Sequence, residues 1–190
     1  MRSLLSSLPF SPRPRQLAVA AAVYVPLAVL MFGPWAGSLS AVRRHCEGLA
    51  PFDVRGWWTV EDARTMMAAC GPDGRSAYVH QQLLDLAYPA ALAALLVIAT
   101  GLLLRRHGHR WWPVLLPTFA MTALDYVENI GVWTVLLNRT DAPPTVIALA
   151  GAATAGKRVL GFVAFTIPLV LALVALTSKV RLRGVDRATG

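Results

Sequence analysis

Three carboxylates lie within or at the end of long apolar stretches of this sequence: Asp85, Asp125 and Glu128. A central aspartate costs about 2.5 to 3.5 kcal/mol on membrane-insertion scales, so such side chains are expected to face partners or a cavity. A carboxyl group that lacks a cationic partner there tends to hold its proton. Holding a proton is the property that a general acid or a proton carrier requires.

The helix that carries Asp125 has one polar face. At 100° per residue, Thr118, Thr122, Asp125 and Asn129 fall within an arc of about 60°, and Glu128 lies about 60° to one side of Asp125. The rest of this stretch is apolar. We therefore expect the polar face to point toward neighbouring helices.

Two cations, Lys157 and Arg158, follow a run of small residues, 151–156, that would let helices approach closely. If the spans are antiparallel neighbours, these cations and the carboxylates reach similar depths in the outer half of the bilayer. The predicted catalytic residues are Asp125, Glu128 and Asp85. The predicted binding residues are Lys157, Arg158, Asn129, Tyr88, Trp57 and Trp58, with no metal and no cofactor.

A purely structural interpretation is also open. Ion pairs inside a membrane can fasten helices together, and Lys157 or Arg158 could extend toward the outer interface. The stripe of Ala87, Ala91 and Ala94 is interpreted as helix packing. Trp57 and Trp58 could form a lid or anchor the chain at the interface.

Composition identifies the elements that must position these residues. The chain is 56% hydrophobic with mean hydropathy +0.53, and 15% of its residues are charged, against about a quarter in soluble domains. A membrane span needs roughly 20 mostly apolar residues. Four stretches qualify: residues 17–35, 82–104, 112–137 and 145–178. We predict an all-α fold, a four-helix transmembrane bundle with a partly helical external loop at residues 36–81.

The basic residues predict the orientation, because lysine and arginine collect on the cytoplasmic side. They cluster at residues 1–16, 105–110 and 179–190 and flank apolar stretches, which is not the pattern of a nucleic-acid surface. The expected location is a bacterial inner membrane, with a basic N-terminal segment (1–16), a membrane domain (17–178) and a basic tail (179–190). Both termini would be cytoplasmic. A cleaved signal peptide at the first apolar run is the alternative.

The external loop contains both cysteines of the chain, Cys46 and Cys70. On an oxidising side of the membrane a structural disulfide is the natural inference, with free thiols or a redox pair as alternatives. Thr59 followed by Asp62 predicts a helix start, and Gly71 predicts that this helix ends near Cys70.

The combination of Gly74-Arg75 with Tyr78, Asp85-x-x-Tyr88-Pro89, Asp125-x-x-Glu128-Asn129 and Lys157 resembles a group of small bacterial four-span membrane proteins without an established activity. The resemblance covers about residues 55–165. It implies a shared fold and polar cluster and no particular substrate. In layout alone, the chain is similar to the four-helix sterol isomerase and sigma-2 receptor-like proteins.

Three functions are compatible with these patterns. The first is a membrane-embedded acid-base enzyme, an isomerase or cyclase acting on a membrane lipid or another lipophilic small molecule. The second is proton-coupled transport through the same carboxylates, and the third is a non-catalytic subunit of a membrane complex. A homo-oligomer is compatible with each, and no nucleic-acid partner is expected.

Overall fold

The computed structural model describes residues 12–105 and 109–188, and this part of the chain is helical with no β-strand. The predicted all-α class is therefore confirmed for these residues. Residues 1–11 of the N-terminal segment, Arg106 of the basic cluster at 105–110 and the last two residues of the tail lie outside the described part. The α-helices within it are α1 (Pro14–Phe32), α2 (Leu39–His45), α3 (Val60–Asp85), α4 (Tyr88–Leu104), α5 (Leu116–Asn138) and α6 (Pro144–Ala188).

Three helical stretches are long and apolar enough to cross a membrane: Pro14–Phe32, Val60–Leu104 and Pro144–Ser178. The second stretch comprises α3 and α4, so the predicted span 82–104 is its apolar part. Large apolar side chains point outward from these helices, such as Val19 at 64% exposure and Phe162 at 75%. Outward apolar side chains are what a surrounding bilayer requires, since lipid replaces water as their solvent.

Helices α5 and α6 form a closely packed antiparallel hairpin joined by the 3₁₀ turn Arg139–Asp141. Small residues allow this approach: a Cβ added to Gly131 would lie 2.2 Å from the Cβ of Ala150. Nearer the other end of the hairpin, a Cβ added to Gly156 would lie 2.7 Å from Leu124. The small-residue run 151–156 therefore brings the α6 backbone against its neighbours, which fixes the register of the polar side chains between the two helices.

The loop between α1 and α3 is folded and forms the top of the core. It contains α2 and the 3₁₀ turn Phe52–Val54. Phe52 and Trp58 are fully buried, and their rings stack with centroids 4.2 Å apart. Beneath them lie Val132 of α5 and Ile147 of α6 in the same buried cluster. The loop is thus packed onto the α5–α6 hairpin.

Helix α3 begins at the predicted position. The Thr59 backbone N–H donates to Asp62 Oδ2 at 2.8 Å, and the Asp62 N–H donates to Thr59 Oγ1 at 3.3 Å, so each satisfies a free backbone group of the other. The predicted helix end near Cys70 is a bend: Gly71 has φ 56°, a conformation that glycine adopts readily, and the helix then continues to Asp85.

Cys46 and Cys70 are joined, as expected for the structural bridge. The bridge ties the end of α2 to the bend of α3 across a sequence separation of 24 residues. Both cysteines are buried beside Ala77 and Met67 in the cluster under the loop. The disulfide therefore holds the end of α2 and its loop against α3.

Loss of this bridge should destabilise the protein. On the chain-entropy model, Cys46→Ser should lower the free energy of unfolding by about 3 kcal/mol. Thermal unfolding in detergent micelles measures the change. The double variant Cys46→Ser/Cys70→Ser should lose the same amount, and dithiothreitol should affect only the wild type. A wild-type melting temperature that reductant does not change would contradict a stabilising role.

Candidate functional site

One lysine contacts two carboxylates at the α5–α6 interface. Lys157 Nζ of α6 forms ion pairs with Asp125 and with Glu128, both of α5. The three side chains differ in exposure, at 15% for Lys157, 14% for Asp125 and 0% for Glu128. Asp125 and Lys157 thus form a partly accessible edge, and Glu128 is fully buried beside them. Together with Thr154 and Trp58, these residues are called the Lys157 site below.

The inner wall of the Lys157 site is built by Thr154 and Trp58. Trp58 Nε1 of the loop donates to Thr154 Oγ1 at 2.9 Å, and Thr154 in turn hydrogen-bonds Glu128 Oε1. Gly151 makes room for this contact, because a Cβ there would lie 2.2 Å from the Trp58 carbonyl oxygen. Trp58 therefore links the external loop directly to the buried carboxylate.

Asp85 and Asn129 meet beside this site, where α3 ends. Asn129 Nδ2 donates to the Asp85 backbone carbonyl at 3.1 Å, and the Tyr126 hydroxyl donates to the Leu86 carbonyl at 3.0 Å. These two bonds satisfy carbonyls that a helix end leaves free. Asn129, a predicted binding residue, thus uses its amide nitrogen to hold the α3 terminus.

Several buried oxygens near this terminus have no hydrogen-bond donor among the described residues: Asp85 Oδ2, Asn129 Oδ1 and Gln82 Oε1. Asp85 is 4% exposed, Asn129 2% and Gln82 0%. Buried polar atoms are nearly always paired, and leaving one unpaired costs about 1 to 3 kcal/mol. A donor that reached one of these oxygens would therefore stabilise this terminus.

Asp53 is a carboxylate of this region that sequence reasoning missed. It lies in the 3₁₀ turn of the loop, where Gln82 Nε2 donates to its Oδ1 at 3.2 Å and the Tyr78 hydroxyl lies 3.5 Å from its Oδ2. Burial raises the pKa of Asp53 above its ordinary value. The positive charge of Lys157 and the hydrogen bond from Gln82 lower the pKa, but their effect is smaller than that of burial. Nothing in its local sequence distinguishes Asp53 from the other acidic residues of the loop.

The remaining predicted residues lie apart from Lys157. The Tyr88 hydroxyl pairs with the Tyr24 hydroxyl of α1 at 3.1 Å, and Tyr88 packs with Leu92 and Leu96 in a second apolar cluster. Trp57 is 53% exposed. Arg158 is exposed, and a Cβ added to Gly56 of the loop would lie 3.1 Å from its guanidinium. The sequence predicted that Lys157 and Arg158 share one pocket. Side chains of adjacent helical residues point about 100° apart, so Lys157 contacts the carboxylates and Arg158 does not.

Among the described residues, Lys157 is the cation that contacts Asp125 and Glu128. In this part of the chain no group of three or more metal-ligating side chains is arranged to hold a metal ion. With Asp53 and Asp85 nearby, acidic groups outnumber the cation. The region therefore has an excess of acidic groups.

Comparison with known proteins gives no relative: no protein-family model, no curated protein and no solved structure matches this sequence.

Replacement of the hydroxyl between Trp58 and Glu128 should destabilise the protein. Thr154→Val leaves the Trp58 N–H buried without an acceptor, which should cost about 1 to 3 kcal/mol of unfolding free energy. Thermal unfolding measures the change. Thr166→Val is the matched control. Thr166 and Thr154 each donate to the carbonyl four residues earlier on α6, but Thr166 is partly exposed and contacts neither Trp58 nor Glu128. Equal melting temperatures for the two variants would contradict the role of Thr154.

The raised pKa of Asp53 predicts the sign of a pH effect on stability. The folded state binds this proton more tightly than the unfolded state does, so stability should fall as pH rises from about 4 through the raised pKa. Asp53→Asn should reduce that fall. Melting temperatures between pH 4 and pH 9 measure it, with the exposed Asp73→Asn as control. A wild-type profile identical to that of Asp53→Asn would contradict the effect.

Proposed function

We propose that this protein is a four-span protein of a bacterial inner membrane that performs acid-base chemistry on a lipophilic substrate at the Lys157 site. The observation that carries the proposal is the contact of one ammonium group with two carboxylates at a partly accessible edge.

The fourth span of the proposal is α5. Its 23 residues would extend about 34 Å, enough for a hydrocarbon core of about 30 Å. Its polar side chains contact α3 and α6, whereas Ile130 at 64% exposure and Leu137 at 74% point outward. Asp125 and Glu128 lower the hydropathy of α5, but their pairing with Lys157 offsets much of the cost of inserting them.

The cytoplasmic orientation of both termini is supported by the basic residues. Arg13 and Arg15 are exposed at the start of α1, and Arg105 is exposed at the end of α4. Because α1 packs along α4 in the opposite direction, these three residues lie on one side of the bundle. Lysine and arginine collect on the cytoplasmic side. The folded loop with its disulfide then lies on the other side, where oxidation is permitted.

The shared ammonium favours reversible protonation of Asp125. When Asp125 takes up a proton, Lys157 keeps its ion pair with Glu128, so the positive charge is never left alone in the membrane. When the proton leaves, the second ion pair forms again. A lone Asp–Lys pair would lack this exchange of partners. We assign Asp125 as the group that touches substrate, Glu128 as its proton-exchange partner and Lys157 as the electrostatic control.

Double-bond isomerisation fits this arrangement. An acid donates a proton to one carbon of the double bond, and a base removes a proton from a carbon adjacent to the resulting cation. The substrate keeps its composition, and no oxidant or reductant is consumed. Cyclisation that begins with protonation uses the same two steps with ring closure between them. In both reactions Asp125 donates the first proton, and the proton removed in the second step returns to Asp125 through Glu128. Lys157 and the carboxylates then regain their starting protonation state.

A non-catalytic role is the second candidate. Glu128 is fully buried, Thr154 hydrogen-bonds one of its carboxylate oxygens, and Lys157 forms an ion pair with the other, as expected of a polar contact that fastens helices together. Under this alternative the same residues hold α5 against α6 and do nothing else.

A strain that lacks the gene, complemented with variants, distinguishes the two roles. Asp125→Asn should lower product formation by about 10² to 10⁴, the contribution typical of a general acid-base group. Lipid and terpenoid profiles by mass spectrometry measure the product, and immunoblots measure protein abundance. Glu128→Gln and Lys157→Met should also lose product. The exposed Glu61→Gln, whose side chain is 80% exposed, is the matched control.

Enzyme function requires that Asp125→Asn remains abundant while its product is lost. Non-catalytic function predicts that abundance falls and that any lipid change follows abundance. A lipid profile that is identical in the deletion strain and the wild type would contradict the enzyme proposal and would leave proton-coupled transport, measured as flux in vesicles.

A further inference from the structure

A groove of about 490 Å³ runs between α1 and α4, apart from the Lys157 site. Its walls are apolar along most of its length and polar at one end. The apolar part is lined by Val19, Ala20, Val23, Ala91, Ala94 and Ile98. The polar end is formed by Arg15 and Gln16 at the start of α1.

Alanines create this groove. The stripe of Ala91 and Ala94 suggested helix packing, but it faces open space that larger side chains would fill. Above the groove the two helices close together, because the Tyr24 and Tyr88 hydroxyls meet at 3.1 Å and their ring centroids lie 5.5 Å apart. The groove is therefore open along its side and closed at the end nearest these tyrosines.

The dimensions of the groove suit one hydrocarbon chain. From Arg15 to Val23 a helix rises about 12 Å, and one leaflet of the hydrocarbon core is about 15 Å thick. A lipid chain that enters beside Arg15 would extend along most of its own leaflet before it reached the tyrosine pair.

Charge at the polar end selects the headgroup. Arg13 and Arg15 are exposed there, and the first turn of α1 contains no acidic residue. The start of a helix also carries a partial positive charge. A negatively charged headgroup is complementary to this end, whereas a zwitterionic headgroup gains less.

We propose that the groove binds one hydrocarbon chain of an anionic membrane lipid, with the headgroup at Arg15 and the chain directed toward Tyr24 and Tyr88. Tyr88 follows Asp85 by three residues, so the chain ends near the Asp85 end of α3.

Lipid binding is tested on the purified full-length protein by native mass spectrometry. The probes are phosphatidylglycerol and phosphatidylcholine with identical chains. The wild type should bind the first phosphatidylglycerol about fivefold more tightly, the effect of one arginine near a headgroup. Arg15→Gln should abolish this preference, and Arg43→Gln, which removes an exposed arginine of the loop, should keep it.

Filling the groove should reduce binding of both lipids. Ala94→Phe should weaken each by about tenfold or more, because the chain loses several apolar contacts. Ala91→Val is a smaller obstruction in case phenylalanine distorts the helix pair. Ala152→Phe, at an exposed position of α6, is the control and should bind lipid like the wild type.

Binding by the groove variants that equals that of Ala152→Phe would overturn the proposal. Loss of the preference in Arg15→Gln with no effect of either groove variant would also overturn it, since it would indicate surface attraction alone. Asp125→Asn should bind lipid normally in every case. A failure of the groove proposal is therefore separate from a failure of the acid-base function, which the lipid profiles of the complemented strain test.

Discussion

The contact of Lys157 with both Asp125 and Glu128 is the interaction on which the arrangement of this protein depends. A charged group in a bilayer is costly alone and tolerable when paired. The pairing therefore requires α5 and α6 to meet in one register, and glycine and alanine residues along both helices permit that register. The loop completes it, because Trp58 reaches the same carboxylate through Thr154.

The organisation of the bundle follows a gradient of polarity. The end nearest the loop contains the disulfide, the buried aromatic residues and the acceptor-rich α3 terminus. The opposite half contains apolar packing and the groove with arginine at its mouth. Tyr24 and Tyr88 lie between the two halves, and their hydroxyl pair is the polar contact that joins α1 to α4 at that depth. A lipid in the groove would approach the tyrosine pair from the apolar half, and a proton at Asp125 would approach it from the end nearest the loop.

Sequence reasoning could predict the helical class, the start of α3 and the cysteine pair, because each depends on local chemistry or on a small number of candidates. It could also place Asp125, Glu128 and Lys157 near one another, since helical periodicity and antiparallel spans constrain their depth. Arg158 could not be separated from Lys157 in this way, because the direction of adjacent side chains depends on helix rotation. Asp53 could not be found either, because its position depends on how the loop packs onto the helices. Thr154 could not be found because its sequence context is that of any helical threonine that hydrogen-bonds its own backbone.

The contact between Trp58 and Thr154 also bears on how the chain is made. The two residues are 96 positions apart, and α3, α4 and α5 lie between them in the sequence. Gly151 and Thr154 belong to α6, which is synthesised after α4 and α5. The loop therefore has no complete surface to pack on until α6 has been synthesised and has packed against α5. Until then Phe52 and Trp58 lack part of the apolar surroundings that bury them, so the arrival of α6 completes the burial of the loop.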